Sequence, residues 1–301
     1  MGNSRKTTPQ ILELYGMNSS DPRVKDRLVD HLCPFIGQTC KKHLRGSSNP
    51  TGVCVVSQGA TKTGVIVCPN RLYGDNHAIL RLAAVESFGG MRFIIGGDVD
   101  SLRNDLQSKA TDACVAFGHS SGHEIQIPSR AKMSLDWVIQ RYDAKHKPKD
   151  FIAVEVQSMD TTGNYRANLE GWIRHHNGST RPIPPSKHGI NWANVHKRLL
   201  PQLIRKGLIL TTMPNFQGLF FMVPDNVYDR FEHVLEEVPE QGRLGPDIMS
   251  IRTFTTDNTT SSGVRTVRSM NYLIKDVAAA HYGRPDEKAV SGLANTLKTI
   301  L

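Results

Sequence analysis

The residue pattern predicts an α/β fold, a mixed sheet flanked by helices. Short β-branched and aromatic runs alternate with segments whose apolar residues recur at helical spacing. Two of these runs, 135–139 and 151–156, flank a polar, lysine-rich centre containing Pro148, which reads as a hairpin. The chain has 301 residues, 39% of them hydrophobic, enough for one large or two modest domains with a real core.

In chain order, Ser20, Asp21 and Pro22 open a helix running to about Leu32, with Val24 and Leu28 on its apolar side. Cys33, Cys40, Cys54 and Cys68 follow, in a region broken by glycines and prolines. Four cysteines so close together in a cytosolic chain point to a metal rather than to disulfides. The spacing is not the paired CxxC of a zinc ribbon, and the runs 53–56 and 65–68 also read as strands with incidental cysteines. Lys41, Lys42, His43, Arg45, Lys62 and Arg71 decorate this region, which we take as a first domain, 1–75.

A second domain, 76–301, opens with a helix capped by Asp75 or Asn76 and ended by Gly89 and Gly90. A strand is expected at 91–95, a helix at 98–107 and a buried strand at 113–117, where Cys114 is a core residue. After the hairpin, helices are expected over 163–177 and 190–206, the second with Leu199, Leu200, Leu203 and Ile204 inward and Arg205 and Lys206 on other sides. Strands at 208–211 and 218–223, a helix at 225–237, paired strands at 250–254 and 265–270, and helices at 271–281 and 286–300 complete the reading.

The hairpin carries the chemistry. If its strands pair so that facing residue numbers sum to about 293, Asp136 lies opposite Gln157, and Asp136, Glu155 and Gln157 share a face while Val154 and Val156 point into the core. A slip of one residue would break this. Two carboxylates and an amide on apolar strands need a partner, and a Mg²⁺ ion is a natural one. Glu124 adds a third carboxylate shortly upstream. The plain alternative is a half-buried hairpin with solvent-facing acids.

Net charge is +9, unevenly spread. Residues 129–206 hold fourteen Lys/Arg against six Asp/Glu, and 1–75 hold ten against five. Positive charge concentrated at the cysteine region and the hairpin is the footprint of a nucleic-acid binder. No stretch approaches the length of an apolar membrane span, and the polar start has no signal-peptide core, so a cytoplasmic protein is expected.

Asp136 followed by Glu155-Val156-Gln157 resembles the signature of PD-(D/E)XK nucleases, in the variant with glutamine for the usual lysine. The phrases GHEI, SLDWVI and VEVQ, with the cysteine-rich amino-terminal part, resemble the NotI/EagI-like type II restriction endonucleases, the length and cysteine pattern suiting the shorter, EagI-like members best. This resemblance implies an αβββαβ core, a structural iron held by Cys33, Cys40, Cys54 and Cys68 with zinc as the alternative, and catalysis by Glu124, Asp136, Glu155 and Gln157 around Mg²⁺. It further implies a homodimer on double-stranded DNA, the palindrome CGGCCG as target, and a companion methyltransferase in the host. Arg71 and Arg181 are the candidates for reading bases. A structure-directed repair nuclease and a non-catalytic DNA-binding protein are the competing readings.

Overall fold

The computed structural model describes residues 10–44, 48–58, 64–97, 104, 106–109, 111–118, 125–128 and 133–283. Its centre is a mixed seven-stranded sheet. In chain order the strands are β1 (Arg92–Ile95), β2 (Ala113–Gly118), β3 (Trp137–Tyr142), β4 (Pro148–Val156), β5 (Phe216–Pro224), β6 (Ile248–Thr256) and β7 (Val264–Leu273). Across the sheet they run β7-β6-β5-β4-β3-β2-β1. The pairs β4/β5, β5/β6 and β1/β2 are parallel, and β3/β4, β2/β3 and β6/β7 antiparallel.

β5, FQGLFFMVP, is buried along nearly its whole length, as an apolar run between two parallel neighbours should be. One face of the sheet, with Trp137, Ile139, Ile152, Val154, Phe220 and Met222, packs on Ile79, Leu80, Ala83 and Ala84 of helix α1 (Gly74–Phe88). The other, with Ala153, Leu219, Phe221, Met249 and Ile251, packs on Leu200, Leu203 and Ile204 of α2 (Leu200–Leu210) and on Ile274 and Val277 of α3 (Ile274–Tyr282). The expected sheet between helices is therefore present.

The cysteine segment forms a second sheet of four strands from Ile11–Leu14, Met17–Asn18, Val53–Ser57 and Gly64–Ile66. It packs into the same cores: Val53, Val56 and Val65 join the α2 side and Val55 and Ile66 the α1 side. His188 meets the Ser57 carbonyl at 3.1 Å, and the Ile11 N–H donates to Asn168 Oδ1 at 3.0 Å.

Several expectations are corrected. Residues 208–211 are not a strand: Leu208 to Leu210 finish α2, with Leu210 continuing its buried stripe and Leu208 exposed. The helix expected over 190–206 is present from residue 193 on, π-helical over Val195–Leu199 and continuing into α2, while Ile190 ends a short strand, Gly189–Ile190. The helix expected over 225–237 is two single turns, Asp225–Tyr228 and Glu232–Leu235. The start of α1 is irregular, with Asp75, Asn76 and His77 at positive φ and no side-chain cap. Of the helix expected over 98–107, Asn104, Leu106 and Gln107 are described and helical; the closing helix over 286–300 lies outside the described residues, as do Arg45 and Lys62.

Arg71 is also corrected. It is 1% exposed. Its Nε donates to Glu13 Oε2 at 2.7 Å, its Nη2 donates to the Gly263 carbonyl at 2.9 Å, and the group lies over the Phe35 ring. A guanidinium so enclosed is not presented to a base; it ties the small sheet to the β6–β7 turn. Removing one partner of a buried ion pair leaves a buried charge uncompensated. Glu13→Ala should accordingly lower the unfolding free energy by about 3 kcal/mol, read as a shift in the urea midpoint; an unchanged midpoint would show that the pair carries no stability.

Candidate functional site

The hairpin β3/β4 sets the site. Its observed register pairs Ile152 with Ile139, Ala153 with Val138 and Val154 with Trp137. Continued one step, Asp136 faces Glu155, so the register lies two residues from the one read in the sequence. An even offset keeps every side chain on its expected face, because side chains alternate with period two. Val154 and Val156 enter the core under α1, and Asp136, Glu155 and Gln157 line a cleft on the α2 side.

Asp136 sits at a bend between a short strand, Met133–Leu135, and β3. Its Oδ2 accepts the Val156 N–H at 2.9 Å, and its own N–H points at Glu155 Oε1 at 3.4 Å. Each acid is thus held by the other's strand. Gly118, opposite Trp137, makes the bend possible: a Cβ there would lie 2.2 Å from the Asp136 carbonyl oxygen.

Glu155 is 8% exposed. Burial, and then the neighbouring Asp136 carboxylate, push its pKa up to about 7 against the opposing pull of Lys206. Lys206 is the functional neighbour that sequence reasoning missed. It had been placed on an outer side of its helix, but it is buried, and its Nζ donates to Glu155 Oε2 at 2.5 Å. A helical wheel with Lys206 next to the inward Leu203 and Gly207 was the available signal. Gln157 donates from Nε2 to the Ser158 carbonyl at 2.7 Å and remains half-buried. Glu124 lies outside the described residues; Ile125, which follows it, pairs with Leu135, which precedes Asp136.

The cleft, about 210 Å³, is lined by Ser134, Asp136, Glu155, Gln157, Gln202 and Lys206 among others. Gln157 and Gln202 also line a second hollow with Asp160, Asn194 and Arg198, and Gln157, Ser158 and Asp160 line a third with Lys41, Lys42 and Cys68. A groove bearing cations therefore leads from the carboxylates to the cysteine segment. Arg181 is exposed in the proline-rich loop before Gly189.

Cys33, Cys40, Cys54 and Cys68 are all buried and free. Their sulfurs sense one another electrostatically, Cys68 with Cys33 and Cys40, and Cys54 with Cys68 and Cys33. Burial pushes the thiols of Cys33, Cys54 and Cys68 up. The Cys54 Sγ–H donates to the Gly52 carbonyl at 3.4 Å. Against burial, backbone N–H groups at Phe35 and Ile36 pull the Cys33 thiol down, as that of Gly16 does for Cys54 and that of Asn70 for Cys68. Such donors favour thiolates, the form that binds a metal. Among the described residues, no three His, Cys, Asp or Glu side chains stand close enough to hold an ion as they are placed. No described helix is long and apolar enough to cross a membrane.

The family model for restriction endonuclease NotI matches residues 23–218. That span contains the four cysteines, both strands of the hairpin and Lys206. No curated protein matches the chain. With about two-thirds of its length matched, from ahead of the first cysteine to the start of β5, the chain belongs to the NotI restriction endonuclease family and is a type II restriction endonuclease acting on DNA.

Proposed function

We propose that the cleft between β4 and α2 is a Mg²⁺-dependent phosphodiester hydrolysis site of the PD-(D/E)XK kind, and that the enzyme cuts both strands of a short palindromic, G·C-rich site. CGGCCG is the target that the family resemblance implies. The observation that carries this reading is the pairing of Asp136 and Glu155 on one face at the end of β3/β4, with Gln157 beside them in an open cleft. Like charges side by side in a partly buried cleft are held there at a cost, and a divalent cation removes it.

When bound, Mg²⁺ would lower the pKa of a water and offset charge on the phosphate. The protein's part is positional. Asp136 is fixed through Oδ2 by the Val156 N–H, and it and Glu155 would supply the two carboxylates that hold the cation. Glu124 is proposed to assist. Gln157 carries no charge, but its amide both donates and accepts, and so can orient a water or a phosphate oxygen. Lys41 and Arg198 along the groove suit a duplex backbone, while the Lys42 Nζ is turned inward to the Val67 carbonyl. A palindrome is met by two copies related by a two-fold axis, one cleft per strand.

Cys33, Cys40, Cys54 and Cys68 are assigned to one structural ion, iron with zinc as the alternative, in an amino-terminal cysteine domain. The fit rests on four buried, unpaired cysteines whose sulfurs interact electrostatically with one another. Closing on one ion requires the sulfurs to turn towards each other, and a tetrathiolate site leaves no open position for catalysis.

Asp136→Ala should reduce cleavage of plasmid DNA by about 10³-fold or more while leaving DNA affinity in Ca²⁺ unchanged; cleavage at the wild-type rate would remove the catalytic assignment. The raised pKa of Glu155 adds a pH dependence. Its proton must leave before a cation binds, so Mg²⁺ affinity should climb as pH rises towards and past about 7 and then level off. In the metal-free protein the sign is opposite. Stability contributed by the protonated group is complete below the ordinary carboxylate range and is lost as pH rises through about 7. Calorimetric Mg²⁺ titrations and denaturation midpoints between pH 5 and 8, for wild type and Glu155→Gln, test both signs, and the variant should show neither trend. Elemental analysis should find one iron or zinc per chain, lost in Cys68→Ala; a folded, active enzyme without either metal would refute the tetrathiolate assignment.

A further inference from the structure

We propose that Lys206 is a catalytic residue: with DNA in the cleft its ammonium turns from Glu155 to the phosphate being cut and supplies a positive charge that Gln157 does not have. The inference rests on the cleft being the hydrolytic site, and it adds a residue that neither the spacing of the acids nor the hairpin announces.

Four observations carry it. Lys206 is buried on the inward side of α2, between Leu203 and Leu210, where a leucine or methionine would fill the space without desolvating a charge. Its bond to Glu155 does not account for that cost, because a buried ion pair is often no more stable than an apolar pair of the same volume. Among the described residues that line the cleft, Lys206 is the one cation, facing Asp136 and Glu155. The acid that holds it is one of the two proposed to take the metal. Glu155 Oε2 is occupied by Lys206 and Oε1 is approached by the Asp136 N–H, so a cation taking over this carboxylate displaces Nζ. An ammonium carries three donors, and one released there is confined to the space that an anionic phosphate must enter. Low-dielectric walls make such a fixed charge worth far more than it would be in water.

The hydrolysis forms a P–O bond to the oxygen of a water and breaks the P–O bond to a sugar oxygen. The water's two hydrogens are accounted for by the proton that the leaving oxygen takes up and by the hydroxyl kept on the phosphate. Lys206 stays protonated throughout. Its contribution is charge and hydrogen-bond direction at the phosphate, strongest as negative charge builds on the phosphoryl oxygens. A purely structural lysine would instead neutralise Glu155 and affect only folding.

The test compares Lys206→Met, Lys206→Arg, Gln157→Lys and the double variant Gln157→Lys/Lys206→Met, with Asp136→Ala as control, in single-turnover cleavage of a supercoiled plasmid. DNA affinity in Ca²⁺ and thermal melting are measured alongside. Lys206→Met is expected to melt within a few degrees of wild type, bind DNA equally well and cut about 10²-fold more slowly. Lys206→Arg should keep more activity than Lys206→Met. The double variant should recover at least about tenfold over Lys206→Met, since it returns an ammonium to the same cleft from the opposite wall. Cleavage by Lys206→Met within about threefold of wild type would overturn the proposal. So would a double variant no faster than Lys206→Met, or a loss explained by melting or DNA affinity alone. If Lys206→Met fails to fold, Lys206→Ala and Lys206→Ala/Gln157→Lys take its place: a folded double variant at least about tenfold faster than Lys206→Ala supports the charge role, and one no faster sinks it. Should Asp136→Ala also cut normally, the cleft is not the hydrolytic site and both readings fall; an inactive Asp136→Ala beside a fully active Lys206→Met removes the lysine alone.

Discussion

Two carboxylates held on one face of a sheet are the constraint around which the molecule is arranged. Asp136 and Glu155 sit where β3 and β4 stop pairing regularly, and each is fixed by the backbone of the other's strand. Nothing in the hydrophobic effect favours that placement. Burial and mutual repulsion both oppose charge on Glu155, and its raised pKa measures the opposition. The cost is carried by the strands on either side, whose apolar residues are almost wholly enclosed. A site of this kind needs a scaffold that will not relax, and a sheet packed on both faces is one.

The scaffold is tied by further buried charges. Arg252 on β6 holds Glu86 of α1 at 2.6 Å and also reaches the Met270 carbonyl on β7 and Asn271. Arg71 joins Glu13 in the small sheet to Gly263 in the turn between β6 and β7. Both arginines use several donors at once, which a guanidinium does without losing its charge. Lys206 differs, since its ammonium has one acidic partner in the cleft and no comparable net of carbonyls. A residue anchored through a single contact can change partners; one anchored through four cannot. This contrast separates the arginines that hold the fold from the lysine that lines the cleft.

What the sequence made legible follows the same division. Periodicity is a local property, so the hairpin, the faces of its residues and most strands could be read directly. The register was misjudged by two, and this did no harm because parity, not register, decides the face. Leu208 to Leu210 were misread as a strand because three aliphatic residues suit either structure and only the preceding turns of α2 decide between them. Arg71 and Lys206 were both taken as surface residues. Their partners, Glu13 and Glu155, are 58 and 51 residues away, and contacts at that separation leave no trace in a local pattern. Charge composition alone therefore described the surface well and the buried cations badly.

The cysteine segment raises the question of why a nuclease core should carry it at all. Its strands share both hydrophobic clusters with the main sheet, so it is packed against the core through its strands and not merely appended to it. Between those strands run a short helix, Val24–Asp30, and connections rich in glycine and proline, from which Val24, Cys33 and Cys40 reach the core. Lys41 and Lys42 sit on these loops, at the far end of the groove that begins at Gln157. A cation on a slack loop gives a duplex charge but no register, because the ordering cost of the loop is then paid at binding. The ion proposed for the four thiols would settle that cost in advance. Gln157 lines both the carboxylate cleft and the hollow that reaches Lys41 and Cys68, so the fold itself sets how the cysteine segment and the carboxylates lie along one groove.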